Sequence, residues 1–382
     1  MLKVIINRKF CILVTTVLLI FVFGCMHREV SARNIVLKSK TERVEQALYE
    51  LNRQKIGAVG WKTIFSGNDT IVNNGGDYLI VFKRKDDSFQ IDNALNLRDI
   101  DAHYVQGDIC TLFLFNKEGS KVIINNSDTN TNKKHNVYYF DMLENKLKIL
   151  SQNNINTSKG TWSPNSNFFS LVDTDRIIIF NTQTEKIKEI HINHREIKSI
   201  LVSNSGDILF QADNTYLLTA KTNYNLKTLN ISGSIISFVG NQILYYSSGN
   251  IYEYNNNQPV KKTSVGSSYN LYYVDSIRAI FSDGNNTLAY DIDRNEIYHY
   301  AINYNDIYRP NFSPDSKRCL VEENGFLKVI SCNGVSQIIE EVNSSEFYGE
   351  YCWLDDNTLI RTIQKDHSMV LGDFNIERKV ID

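Results

Sequence analysis

Two closely similar segments constrain the fold of this chain more than any other feature. Residues 162–167 read W-S-P-N-S-N and precede an apolar run that ends at Val172; residues 312–317 read F-S-P-D-S-K and precede a run that ends at Val321. Each predicts a strand ending in an aromatic residue, a tight turn and a second strand. A lone hairpin of this kind cannot bury both of its faces. The sequence therefore predicts a repeat protein whose copies stack.

Weaker copies of the pattern can be aligned along the chain. The residues that end the first strand of each copy are Phe65, Phe115, Trp162, Val202, Val239, Val274, Phe312 and Trp353. The last five intervals average about 38 residues, and each copy contains a further hairpin, such as 176–181 with 186–192. Four strands in about 40 residues is typical of a propeller blade. We predict an all-β fold, a β-propeller of seven or eight four-stranded blades, with seven left open because the first copy is faint.

The segments 162–167 and 312–317 resemble the TolB-like propeller repeat, whose core is an aromatic residue followed by S-P-D-G. Ser166 and Ser316 stand where that repeat usually has glycine, and Asn165 replaces its aspartate. The resemblance covers about four copies and implies the fold rather than an activity.

The first 25 residues have the form of a secretory signal. Lys3, Arg8 and Lys9 precede an apolar run of 14 residues, 10–23, whereas a transmembrane helix needs about 20. The run ends in V-F-G-C, which resembles a bacterial lipobox, and this resemblance implies that Cys25 is acylated and becomes the first residue after cleavage. An uncleaved anchor and a buried hydrophobic segment are the alternatives.

A capping-box pattern starts at Ser39, where S-K-T-E precedes apolar residues spaced as one helical face. It predicts one short amphipathic helix to about Gln54, which packs on the propeller or binds a partner. The predicted organisation is a signal peptide at 1–24, an N-terminal linker and helix at 25–60, and the propeller at 61–382.

The charge of the chain argues against nucleic-acid binding. The full chain has a formal charge of −2, and removal of the three cationic signal residues leaves −5. Binding to nucleic acid depends on clustered basic side chains that neutralise phosphates. We therefore expect no nucleic-acid partner.

The cysteines of the exported part are too far apart for a thiolate metal site. They are Cys110, Cys319, Cys332 and Cys352, and the nearest two are 13 residues apart, unlike a C-x-x-C pair. Buried thiols are the favoured interpretation, and a disulfide stays open outside the cytoplasm.

Known catalytic and metal motifs are missing from the sequence. Residues 291–295 have the opening spacing of a calcium loop, but Glu296 and Ile302 stand where that loop needs glycine and glutamate, so a hairpin turn is predicted. His191 and His194 have an odd spacing that places them on opposite faces of a strand. No G-x-S-x-G, P-loop or H-E-x-x-H motif is present. We expect no cofactor, no metal and no identifiable catalytic residue.

Two features could bind a partner. The insertion 125–136 has no apolar residue and contains Asp128, Lys133 and Lys134, so it is either an unstructured loop or a partner-binding loop between the second and third strands of its blade. Tyrosine pairs such as Tyr272 and Tyr273 could form an aromatic platform, although half-buried strand positions explain them more simply.

These observations favour a lipid-anchored, extracytoplasmic β-propeller that acts as a protein- or ligand-binding or scaffold module. Its expected partners are the membrane, through lipid on Cys25, and an unknown envelope protein, peptide or glycan. The alternative is a propeller enzyme of the lyase or glycosidase type, whose residues would be scattered over several blades. An envelope-assembly subunit resembling the propeller lipoprotein of outer-membrane barrel assembly is a third hypothesis, although the chain lacks that family's T-G-x-x-x-W pattern.

Overall fold

The structure is a computed structural model, and it describes most of the chain from Arg28 onward. The described residues are 28–53, 62–67, 69–75, 77–86, 88–100, 109–128, 136–151, 159–173, 176–192, 196–240, 242–255, 257–275, 277–303, 307–341, 351–364 and 374–381.

Antiparallel sheets follow one another along the chain, and each sheet is one blade. Blade 1 consists of β3 (Lys62–Gly67), β4 (Thr70–Gly75), β5 (Tyr78–Lys85) and β6 (Ser88–Asn96), and blade 2 of β7 (Ile109–Phe115), β8 (Lys121–Asp128), β9 (Val137–Asp141) and β10 (Lys146–Ser151). Blade 3 consists of β11 (Gly160–Trp162), β12 (Phe168–Asp173), β13 (Arg176–Asn181) and β14 (Lys186–His191), and blade 4 of β15 (Ser199–Val202), β16 (Ile208–Gln211), β17 (Thr215–Thr219) and β18 (Asn225–Leu229).

The second half of the ring repeats the pattern. Blade 5 consists of β19 (Ser234–Val239), β20 (Gln242–Ser247), β21 (Asn250–Asn255) and β22 (Gln258–Ser264), and blade 6 of β23 (Asn270–Val274), β24 (Arg278–Ser282), β25 (Thr287–Asp291) and β26 (Glu296–Tyr300). Blade 7 consists of β27 (Ile307–Phe312), β28 (Arg318–Glu323), β29 (Phe326–Ser331) and β30 (Ser336–Glu341), and blade 8 of β31 (Cys352–Asp355), β32 (Thr358–Gln364) and β33 (Phe374–Val380).

The protein is an eight-bladed β-propeller. Strands pair in sequence order within each blade, so the first strand lies at one edge of its sheet. β3 of blade 1 lies beside β31 of blade 8, and this contact closes the ring. The predicted all-β fold is confirmed, and of the two blade numbers that the sequence left open the structure has eight. Blade 8 has three strands within the described residues.

The eight predicted strand-ending residues fall in the first strands of the eight blades, so the alignment of copies is confirmed. Six of them are the last residues of β7, β11, β15, β19, β23 and β27. Their burial varies: Trp353 and Phe312 are buried, Trp162 is half-buried, and Val239 is exposed.

The hydrophobic core lies between blades rather than at one centre. Each pair of neighbouring blades encloses its own cluster, such as that of Ile179 in blade 3 with Phe210 in blade 4. The cluster at the ring closure joins Ile80 of blade 1 to Leu354 and Ile360 of blade 8. Because every blade has apolar residues on both faces, each blade is stabilised by two neighbours, as expected for a repeat architecture.

The repeated turn has the same hydrogen bonds in blades 3 and 7. In blade 3 the Ser163 hydroxyl donates to Asn165 Oδ1 at 2.8 Å and accepts from the Phe168 amide at 2.9 Å. In blade 7 the Ser313 hydroxyl donates to Asp315 Oδ1 at 2.6 Å. A serine before proline thus fixes the turn, which explains the recurrence of S-P-N and S-P-D.

Residues 28–53, which precede blade 1, wrap around the outside of the ring, and we call them the N-terminal strap. It consists of β1 (Arg28–Ser31), β2 (Arg33–Ile35) and α1 (Lys40–Arg53). β1 pairs with β14 as a fifth strand of blade 3, and β2 pairs with β10 as a fifth strand of blade 2. The two strands were not predicted; the sequence indicated only a linker here.

Helix α1 was predicted, and its packing on the propeller is confirmed. Ser39 and Glu42 form the expected capping box, with the Ser39 amide donating to Glu42 Oε2 at 2.9 Å and the Glu42 amide donating to Ser39 Oγ at 3.2 Å. Ala47 is buried in the ring-closure cluster together with Ile80 and Phe82 of blade 1. The strap therefore runs over blades 3, 2 and 1, against the order of the blades in the chain.

Short elements and turns complete the fold. Helix α2 (Leu97–Ile100), a single turn that was not predicted, follows blade 1, and a 3₁₀ turn covers Ala220–Thr222. The calcium-like segment is a hairpin turn as interpreted, because Asp291 accepts from the Arg294 amide at 2.8 Å just as Asp141 accepts from the Glu144 amide at 3.0 Å.

Burial raises the pKa of the Cys319 thiol far above its usual range.

Candidate functional site

The residues singled out from the sequence lie at the margin of the described structure. Cys25, Lys133 and Lys134 are outside the described residues. Asp128 is the last residue of β8, where it pairs with Ile109. The segment that follows joins the second and third strands of blade 2, which is the position predicted for the insertion.

The structure shows a different candidate site, a groove of about 540 Å³ in the middle of the ring. We call it the channel groove. Its walls are formed by the first strands of blades 3, 4, 5 and 6, namely β11, β15, β19 and β23, with the residues just outside them. Among the described residues, each of these strands pairs only with the second strand of its blade and so lies at one edge of its sheet. A groove of this size fits the range of ligand-binding clefts.

An exposed aromatic pair forms one wall of the channel groove. Tyr272 and Tyr273 are adjacent in β23, and their exposed fractions are 51% and 37%. Alternation along a regular strand would place them on opposite faces. The strand has a β-bulge here: Leu271 pairs with Phe281 and Tyr273 pairs with Ile280, so Tyr272 is an extra residue. Bulges redirect side chains in this way, and both residues line the groove.

Trp162 lines the channel groove from blade 3 and is held firmly. Its indole N–H donates to the Leu114 carbonyl of blade 2 at 2.9 Å, and its ring lies 5.1 Å from that of Phe169. A donor bond and ring contact together fix the orientation of the indole. The groove thus has a rigid aromatic surface in blade 3 and a more exposed one in blade 6.

The charges of the described groove wall are two cations and one engaged carboxylate. Lys198 is exposed, and Lys159 Nζ donates to the Ile197 carbonyl at 2.5 Å. Asp275 accepts from the backbone amides of Ile277 and Arg278 at 2.7 and 2.8 Å and lies 3.4 Å from Arg278 Nε. Because this carboxylate is already compensated, the wall favours an anionic or carboxylate-bearing ligand.

Gln211 couples two walls of the channel groove. Its side-chain Nε2 donates to Thr215 Oγ1 at 3.1 Å and to the Gly233 carbonyl, while its Oε1 accepts from the Ile235 amide at 3.1 Å. Gly233 and Ile235 flank the start of β19, whereas Gln211 ends β16. This amide therefore sets the spacing between blades 4 and 5 at the groove.

The described residues show neither a metal centre nor a membrane span. Among them no three His, Cys, Asp or Glu side chains come together as a metal site. Neither of the helices in the described ranges has the length and apolarity needed to cross a bilayer.

Comparisons with known proteins give similarity at the level of overall shape. No protein-family model matches the chain, and no curated protein matches it in sequence. Among solved structures it is similar to PorZ, an essential surface component of the type-IX secretion system of Porphyromonas gingivalis (11% identity, TM-score 0.48), over 80% of this chain and 42% of that one. The chain thus spans less than half of PorZ.

Two further solved structures are similar over most of their length. They are the C-terminal WD40 domain of Sif2 (10% identity, TM-score 0.47; 84% of this chain and 96% of that one) and virginiamycin B lyase from Staphylococcus aureus (9% identity, TM-score 0.39; 82% and 98%). At these values the similarities carry no argument about activity, and the fold rests on the strand pairings above.

Proposed function

We propose that this protein is a lipid-anchored, extracytoplasmic binding module that holds a peptide segment of a partner in the channel groove. The observation that carries the binding role is the exposed pair Tyr272 and Tyr273, turned into a concave surface by a β-bulge. The signal-like start of the chain and Cys25 support the anchor. The turn around Ser163 supports membership of the TolB-like repeat class.

A peptide that carries a carboxylate suits this groove. Exposed aromatic rings supply contact area at low entropic cost and dominate interface energies. The first-strand edges of the four blades present backbone donors and acceptors that can pair with an extended chain. Lys198 supplies an exposed cation for an acidic side chain or a terminal carboxylate.

The test is selection of a displayed random-peptide library on the full chain. We expect the recovered peptides to be acidic and to bind through the tyrosine pair. Replacing both Tyr272 and Tyr273 by alanine should weaken them at least about tenfold, because buried aromatic anchors are worth more than about 1 kcal/mol at an interface. Isothermal titration calorimetry of the selected peptides measures the change.

The matched control is Tyr49→Ala, which removes an exposed tyrosine from helix α1, away from the groove. It should leave peptide affinity unchanged. Peptides that bind the double alanine variant as tightly as the original protein would refute the groove as the binding site.

The anchor is tested separately. Cys25→Ala should abolish incorporation of labelled fatty acid and release the protein from membranes, because acyl chains supply the stable attachment. Unchanged labelling in Cys25→Ala cells would refute the lipoprotein assignment, and the proposed binding role of the groove would be unaffected.

A further inference from the structure

The N-terminal strap leaves almost no free chain between the proposed lipid site and the folded propeller. Arg28 is the first residue of β1, and its backbone is in register with Glu189 of β14. Only Met26 and His27 separate Arg28 from Cys25. Three Cα steps of 3.8 Å each cannot exceed about 11 Å. An acylated Cys25 must therefore stay within that distance of Arg28.

The strap itself is bound to the propeller along its length. β1 pairs with β14 over four residues, and the Ala32 amide donates to the Glu185 carbonyl at 3.3 Å. β2 pairs with β10, and the buried Lys148 donates to Asn34 Oδ1 at 2.6 Å. The strap thus belongs to the sheet structure of blades 2 and 3.

The contrast with an ordinary linker is large. A flexible linker over residues 25–60 would have a root-mean-square span of roughly 30 to 35 Å. The propeller could then turn freely above the membrane. With a tether of only two residues, one part of its rim must instead remain at the bilayer surface.

We infer that the outer edge of blade 3, at the C-terminal end of β14, is the membrane-facing rim of the propeller. This inference rests on the lipid anchor of the proposed function. The partner surface is a phospholipid bilayer. Arg28 pairs near the end of β14, and the chain from Arg28 towards Cys25 continues in the direction of His191, the last residue of that strand.

Fluorescence quenching by a bilayer tests this orientation. The full acylated protein is placed in phosphatidylcholine and phosphatidylglycerol vesicles that contain headgroup-nitroxide lipid. A fluorophore is attached at His191→Cys or at Glu341→Cys. Glu341 ends β30 of blade 7, is exposed like His191, and lies four blades away across the ring. Labelled protein without an added cysteine gives the background from the native thiols.

We expect quenching at position 191 to exceed that at position 341 at least twofold. Inserting 30 Gly and Ser residues between His27 and Arg28 should remove the difference while the protein stays on the vesicles. Equal quenching at the two positions of acylated, vesicle-bound protein without the insertion would overturn the rim assignment and leave the anchor intact. Absence of fatty-acid labelling would overturn the anchor, and the rim assignment with it.

Discussion

At the scale of single residues, two serines occupy a backbone conformation that favours glycine. Ser166 and Ser316 have φ values of 58° and 62° in equivalent turns, and Gly206 occupies the same position in blade 4 with φ 83°. A side chain in this left-handed region costs roughly 1–2 kcal/mol. Ser166 recovers part of the cost because its hydroxyl donates to Glu118 Oε2 at 2.7 Å. The buried Ser316 hydroxyl has no partner among the described residues.

Ser316→Gly should therefore stabilise the protein by about 1 kcal/mol, since relief of strain exceeds the entropy that glycine adds to the unfolded chain. Ser166→Gly is the matched variant and should have a free energy of unfolding within about 0.5 kcal/mol of the original, because it also loses a hydrogen bond. Urea unfolding measures both. A loss of stability in Ser316→Gly would show that its side chain is needed to fill the turn.

At the scale of elements, Arg43 connects the strap to the propeller. Its guanidinium donates to the Ala94 carbonyl at 2.7 Å and to the Lys38 carbonyl at 2.6 Å, and it also bonds Asn93 and Asn145. One side chain thus satisfies acceptors in the residues just before α1, in blade 1 and in the β9–β10 turn of blade 2. Burial lowers the pKa of this guanidinium, and the four acceptors named here are all neutral oxygens.

Arg43→Met should cost about 3 kcal/mol or more, because it leaves several buried acceptors without donors. Arg43→Lys should recover little, since an ammonium cannot reproduce the planar set of bonds. Thermal unfolding of both variants measures the effect. Full stability of Arg43→Lys would mean that the positive charge alone, rather than the planar arrangement of the guanidinium donors, holds the strap on the propeller.

The helix cap predicts a dependence on pH. The Ser39 hydroxyl and amide hold the pKa of the Glu42 carboxyl below its usual value. A lowered pKa in the folded state means that the contribution is present above the ordinary pKa of glutamate and is lost as the pH falls through the lowered value. Glu42→Gln should thus be less stable than the original protein at pH 7, with the gap closing in acid. A gap that is unchanged at pH 3 would contradict the role of the charge.

The propeller blades could be predicted from the sequence because each repeats the same turn and the same apolar strands. β1 and β2 could not, because strands of four and three residues have too few positions to show a periodic pattern, and they form only where β14 and β10 offer a free edge. The sequence offered Tyr272 and Tyr273 as a possible aromatic platform, but it did not show that both residues line one groove. The orientation of Tyr272 depends on a bulge in the pairing with β24, which no local pattern of β23 reveals.

At the scale of the whole molecule, equivalent tryptophans connect neighbouring blades. The Trp353 indole donates to the Asn311 carbonyl at 3.1 Å, as that of Trp162 does to Leu114 of the preceding blade. Trp353→Ala should cost about 3–5 kcal/mol, and Trp162→Ala less, because only the former ring is buried. Trp353→Phe should cost about 1 kcal/mol for the lost bond. Denaturant unfolding checks the order, and a larger loss for Trp162→Ala would contradict it.

The backward course of the strap also has a consequence for the timing of synthesis. Ser31 pairs with Lys186, about 150 residues later in the chain. At ~5–20 residues per second, roughly 8 to 30 s separate the appearance of the two. During this interval β1 has no sheet to join, which leaves the adjoining Cys25 accessible for the acylation proposed above. We expect the strap to be among the last segments of the protein to reach its final place.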